Sequence, residues 1–166
     1  MKSVLSWLKN TISSLVKTLE SQPNGVNSSQ ESLLTEGYVS QFSLSKQSIA
    51  KLHGVHPDLI KVVETAIKLT EVDFRVLEGV RTVTRQKMLY EAGASKTMNS
   101  RHLTGHAVDL GAMVGRQIRW DWPLYHKIAE AMKQSADMLN VKITWGGDWK
   151  SFKDGPHFEL NKDYYK

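Results

Sequence analysis

The 166-residue chain predicts an α+β domain, a small and mainly antiparallel sheet with flanking helices, preceded by an appendage. Three observations carry this expectation. Segments with helical spacing of apolar residues alternate with short strand-like runs bounded by turn residues. No internal repeat is present. The length suits one domain with a proper hydrophobic core and is too short for two comfortable ones.

Residues 1–20 place Val4, Leu5, Leu8, Ile12, Leu15, Val16 and Leu19 along one helical face, with Lys2, Lys9 and Lys17 elsewhere. They read as an amphipathic helix. Lys9 and Asn10 interrupt the apolar run, so a secretory signal and a membrane span are not expected; peripheral membrane contact through residues 1–20 and simple packing on the domain both remain open. Residues 21–41, rich in Ser, Asn, Gln, Pro and Gly, read as a flexible linker, and the folded domain is expected over 42–166.

His56-Pro57 opens a helix that buries Leu59, Val62, Val63, Ala66 and Ile67, because proline suits a first helical turn. Phe74 to Val80 is strand-like, and Thr84 to Ala92 is a helix stopped by Gly93. His106 to Leu110 reads as a strand, and Gly115 marks a turn between Met113 and Ile118. After Trp122-Pro123 a longer helix carries Leu124, Ile128, Met132 and Leu139 inward; Val141 to Trp145 and His157 to Leu160 close the domain as strands.

Lys and Arg number 22 against 17 Asp and Glu, giving a formal charge of +5 and a pI near 9.4. Such a balance favours anionic partners. No basic run is interleaved with aromatics, so a nucleic-acid partner is not expected. The absence of cysteine excludes disulfides, thiolate metal sites and a cysteine nucleophile, so any metal must be held by histidine and carboxylate.

The stretch SRHLTGHAVD sets His102 and Asp109 seven residues apart with Gly105 between them, which favours a loop entering a strand over one continuous helix. A turn of that kind can bring an imidazole and a carboxylate around one ion. His157, from the C-terminal run WGGDWKSFKDGPHFEL, supplies a third ligand. Two histidines and one carboxylate leave a position open for water, as a catalytic Zn2+ site requires, and hydrolysis follows. Asp154 lies three residues before His157 across Gly-Pro and is the candidate general base and acid. Arg81, after the strand-like run, is the candidate for stabilising an oxyanion; a surface ion pair explains an arginine there equally well.

His53, His56 and His126 have no carboxylate at ligand-like spacing and take no role. His106 in a strand would point opposite to Asp109, which leaves it as a substrate or ligand-supporting residue. Among Trp145, Trp149 and Phe152 only Trp149, in a polar setting, is nominated for a cleft wall. Glu159 shares a strand face with His157 and is placed to orient its imidazole.

These residues resemble the LAS group of zinc peptidases, which includes VanY-like D-Ala-D-Ala carboxypeptidases, dipeptidases and phage endolysins. The matching pattern is Ser-x-His-x-x-Gly-x-Ala-x-Asp at Ser100, His102, Gly105, Ala107 and Asp109, with Asp-x-x-His at Asp154 and His157. The resemblance runs from about Phe42 to Leu160. The stretches GVHPDLIKVV, EGVRT and GASKTMNSRHLTGHAVDL look particularly like phage L-alanyl-D-glutamate endopeptidases.

It implies a hedgehog- or D-Ala-D-Ala-peptidase-like fold, one zinc on His102, Asp109 and His157, Asp154 as base, Arg81 on the scissile carbonyl and Ser100 near the substrate. It also implies peptidoglycan stem peptide as substrate. Some carboxypeptidase and dipeptidase relatives carry Glu where this chain has Asp154, which favours the endolysin branch. The expected protein is a monomeric lysis enzyme that waits in the cytoplasm for a holin, or a variant used for holin-linked protein release. A D,D- or L,D-carboxypeptidase and a non-catalytic wall-binding module are the alternatives.

Overall fold

The computed structural model describes residues 40–166. The helix expected over 1–20 and all but the last two positions of the expected linker lie outside the described residues. From Ser40 the chain is tied down: the Ser40 hydroxyl donates to the Ile67 carbonyl, and the Lys68 ammonium donates to the Phe42 carbonyl at 3.1 Å.

Helix α1, Lys46–Lys51, is one the sequence reading did not include. It is short and carries no apolar stripe; Ser45 caps it by accepting from the Ser48 amide. Helix α2, Pro57–Leu69, has Pro57 in its first turn and His56 as its cap. Leu59, Val62, Val63, Ala66 and Ile67 all lie at 1% exposure or less, as the period predicts. Strand β1 runs Phe74–Glu78, two residues shorter than expected, and helix α3 runs Val83–Glu91 behind the capping hydroxyl of Thr82. A 3-10 turn at Arg101–Thr104 leads into β2, Ala107–Val114, which turns at Gly115 into β3, Gln117–Arg119. Helix α4, Trp122–Met138, is followed by β4, Ile143–Trp145, a second 3-10 turn at Gly146–Asp148, and β5, His157–Leu160.

All strand pairs are antiparallel, in the order β1-β2-β5-β4, with β3 paired to β2. The two faces differ sharply. Phe74, Val76, Val108, Leu110, Ala112, Phe158 and Leu160 join α2 and α4 in one core, where each fully buried large apolar side chain contributes about 1.5–3 kcal/mol. The intervening residues Asp109, His157 and Glu159 point to the opposite face by strand alternation. A bulge at Leu77 sets Glu78 beside Asp109 and turns the chain out of β1 toward Arg81.

Candidate metal centre and cleft

Three side chains converge on that second face. Asp109 and His157 are direct cross-strand partners on β2 and β5. His102 enters from the 3-10 turn, whose first residue is preceded by the capping Ser100 and whose end is Gly105 in the left-handed region at φ 71°. Gly105 also lies so close to the Gly54 carbonyl that a Cβ would stand 2.4 Å from it. A side chain there would push the turn away from the α1–α2 connection and carry His102 with it.

The Asp109 Oδ1 lies 3.2 Å from His102 Nε2 and 3.2 Å from His157 Nδ1, and the two ring nitrogens are 3.3 Å apart. Outer partners fix both rings. His102 Nδ1 donates to the Gly79 carbonyl at 2.7 Å, which leaves Nε2 as the lone-pair nitrogen of a neutral ring. His157 Nε2 donates to Glu159 Oε2 at 3.0 Å, which leaves Nδ1. In neutral rings, three electron-pair donors therefore face one point, an arrangement that calls for a cation. Ligand atoms about 2.0–2.1 Å from a tetrahedral zinc would be roughly 3.3 Å from one another. The observed triangle has that size, and the donor set fits a divalent metal of zinc type.

The charges agree with this reading. Burial alone would raise the Asp109 carboxyl, but the hydrogen bonds and charges of His102 and His157 outweigh it and hold the group well below the usual carboxylate range. Burial would lower His157, yet its bonds to Asp109 and Glu159 raise it to about 9 in the metal-free chain. Asp154 is half-buried; burial first and the Asp109 charge second push its carboxyl upward, against the pull of His157, His102 and Arg81.

Arg81 is buried and closely held. Its Nη2 donates to Glu78 and to Asp109 Oδ2 at 3.3 Å, and its Nη1 donates to Gln86 Oε1 at 2.7 Å. Arg81 is thus ion-paired, but buried beside the ligand set rather than at the surface, and one Nη1 hydrogen is still without an acceptor in this network. Gln86, fully buried, extends the network by donating to Ser95 Oγ and the Thr97 carbonyl.

The cluster opens into a cleft of about 320 Å3. Arg81, Ser100, Trp149 and Asp154 line it together with the three candidate ligands. Trp149 stands with its ring 5.1 Å from that of His157. Trp145, which the sequence leaves in the core, is 3% exposed there and stacks on Phe158. His106 is the exception among the nominated residues: it precedes β2, contacts Thr104 Oγ1 at 2.9 Å and the His56 ring at 5.2 Å, and does not line the cleft. Strand parity accounts for this, since three positions separate it from Asp109. Glu78 and Gln86 were missed. Glu78 lies three residues before Arg81, a spacing that could have signalled the pair; nothing local marks Gln86.

The site lies in a segment that known proteins share. Residues 40–161 match the family model described as phage L-alanyl-D-glutamate peptidase. An L-alanyl-D-glutamate peptidase of Escherichia phage T5 is 30% identical over 128 residues, covering 75% of this chain and 93% of that protein. The peptidoglycan L-alanyl-D-glutamate endopeptidase CwlK of Bacillus subtilis is 28% identical, covering 66% of this chain and 73% of the relative. The crystal structure of Serratia marcescens L-Ala D-Glu endopeptidase ChiX superposes with a TM-score of 0.70 at 44% identity, covering 75% of this chain and 95% of that one. The ligand triangle lies within the stretch matched by the family model, and the chain belongs to the phage L-alanyl-D-glutamate peptidase family.

Proposed function

We propose that the chain is a zinc-dependent peptidoglycan endopeptidase that hydrolyses the L-Ala-D-Glu bond of the stem peptide. The observation that carries this is the triangle of His102 Nε2, Asp109 Oδ1 and His157 Nδ1 at the floor of a cleft shared with Asp154, in a chain whose relatives are named for that bond.

His102, Asp109 and His157 would hold the zinc, and when bound it supplies Lewis acidity toward water and the scissile carbonyl. Asp154 does the proton work. It takes a proton from the attacking water and returns it to the departing glutamate amine. The remaining Nη1 hydrogen of Arg81 donates to the carbonyl oxygen as negative charge grows there. Glu78 and Gln86 hold that guanidinium still, while Arg81 in turn fixes Oδ2 of Asp109 so that Oδ1 faces the histidines. Ser100 and Trp149 flank the bound peptide.

The reading extends to a monomeric lysis enzyme reaching the wall after holin-dependent release. No helix among the described residues is long and apolar enough to cross a membrane. Digestion of purified walls by the native chain and by Asp154→Ala, with zinc measured in both, tests the assignments. Asp154→Ala should lose activity by about 10²–10⁴-fold and keep one zinc. Full activity with full zinc would remove Asp154 as base, and loss of zinc would make it a ligand instead.

A further inference from the structure

The cleft has a second chemical character away from the metal-binding side chains. Lys96, Arg101 and Lys162 all line it. Among the described residues, neither Lys96 nor Arg101 has a carboxylate within ion-pair distance. The Lys96 ammonium stands 5.1 Å above the ring of Phe152, an exposed aromatic that also lines the cleft. Arg101 spends Nη2 on two neutral acceptors, the carbonyls of Leu160 and Tyr165, and its buried Nε is without a partner. Lys162 sits 3.4 Å from Glu159, the residue that orients His157, so its charge lies one side chain away from the ligand set. Three cations, two of them uncompensated, thus border a cleft in which one acidic substrate residue would have to lie.

The reaction proposed above releases a glutamate amine, and this inference rests on that reading. Only one of the two glutamate carboxyls continues the stem peptide. The other stays within a few bonds of the scissile nitrogen and is either a carboxylate or, when amidated, a neutral group of the same shape. We infer that Lys96 and Lys162, backed by Arg101, form the subsite for this free carboxylate and make the enzyme prefer the acid over the amide. Lys162 connects to the ligand set through Glu159, and Lys96 is steadied by the Phe152 face. Both ammoniums are exposed, so the preference is a screened electrostatic effect and weakens as salt is raised.

The test uses two synthetic muropeptides of equal length, one with the free glutamate carboxylate and one with the carboxamide, and the zinc-loaded full chain. The readout is the ratio of kcat/KM for acid to amide in the native enzyme, Lys96→Met, Lys162→Met and the double variant. The native enzyme should favour the acid by roughly fivefold or more at low salt, and the double variant should bring the ratio close to one. General damage lowers both rates and leaves the ratio intact, so an unchanged ratio in the double variant overturns the subsite. So does a native enzyme that cleaves both substrates equally. A native enzyme that cleaves neither at this bond overturns the functional reading, and the subsite with it.

Discussion

Gly146 occupies the point where the second 3-10 turn meets the loop carrying Asp154. A Cβ at Gly146 would lie 2.5 Å from the Asp154 carbonyl oxygen, 3.0 Å from Asp154 Cβ and 3.1 Å from His157 Cβ. Ordinary contacts begin near 3.4 Å, so Gly146→Ala forces the Asp154 backbone back by nearly 1 Å and His157 by a few tenths of that. The Asp154 amide also donates to the Gly146 carbonyl at 3.1 Å, so the two segments cannot separate without losing that bond. The overpacking should cost about 1–3 kcal/mol of stability. Misplacing a catalytic group by about 1 Å costs on the order of 10²-fold in rate. Gly146→Ala should therefore fall about a hundredfold in single-turnover cleavage of a soluble muropeptide while still binding one zinc. Gly115→Ala is the control: at φ 61° it carries a left-handed strain that Gly146 does not have, but it has open space around it and no contact with the site, so its activity should stay near native. Activity of Gly146→Ala within threefold of native, in a folded protein, would refute the placement of Asp154 as the proton carrier.

Other consequences follow from the same geometry. Zinc must displace the proton that His157 holds in the metal-free chain, where its pKa of about 9 stands above the ordinary 6.5. Calorimetry in buffers of different ionisation enthalpy should show close to one proton released per zinc at pH 7, fading above pH 9, with affinity rising about tenfold per pH unit in between. By the same sign, the metal-free fold has a stabilising contribution from His157 that is fully present below pH 6.5 and lost as pH rises through 9. Glu159→Gln removes the carboxylate that holds His157 Nε2 and should weaken zinc about 10-fold in chelator competition. Gln86→Leu leaves the Arg81 Nη1 donor without its acceptor and the Thr97 carbonyl with only the Ser95 hydroxyl, and should cost about 1–3 kcal/mol in denaturant unfolding.

Much of the fold could be read in the chain because its patterning is local. The buried stripe of α2 follows directly from the helical period, and the alternation in β5 separates His157 and Glu159 from Phe158 and Leu160. The same parity turns His106 away from Asp109. What stayed hidden depends on distant pairing. That Asp109 faces His157 across the sheet is a matter of register between strands 48 residues apart, and no local pattern specifies it. The bulge at Leu77, which brings Glu78 opposite Asp109 at the end of β1, has no residue signature of its own. Helix α1 lacks an apolar stripe, and its helical state rests on the Ser45 cap and on Ser48 reaching the Val76 amide. Gln86 reads as an ordinary polar residue of an exposed helix until its partners arrive from the loop at residues 95–97.

Mass spectrometry of muropeptides released from purified walls by the zinc-loaded chain identifies the bond that is cut. Cleavage at L-Ala-D-Glu gives new stem fragments beginning with D-Glu, together with muramyl-L-Ala left on the glycan. Release of terminal D-Ala with the L-Ala-D-Glu bond intact would contradict it.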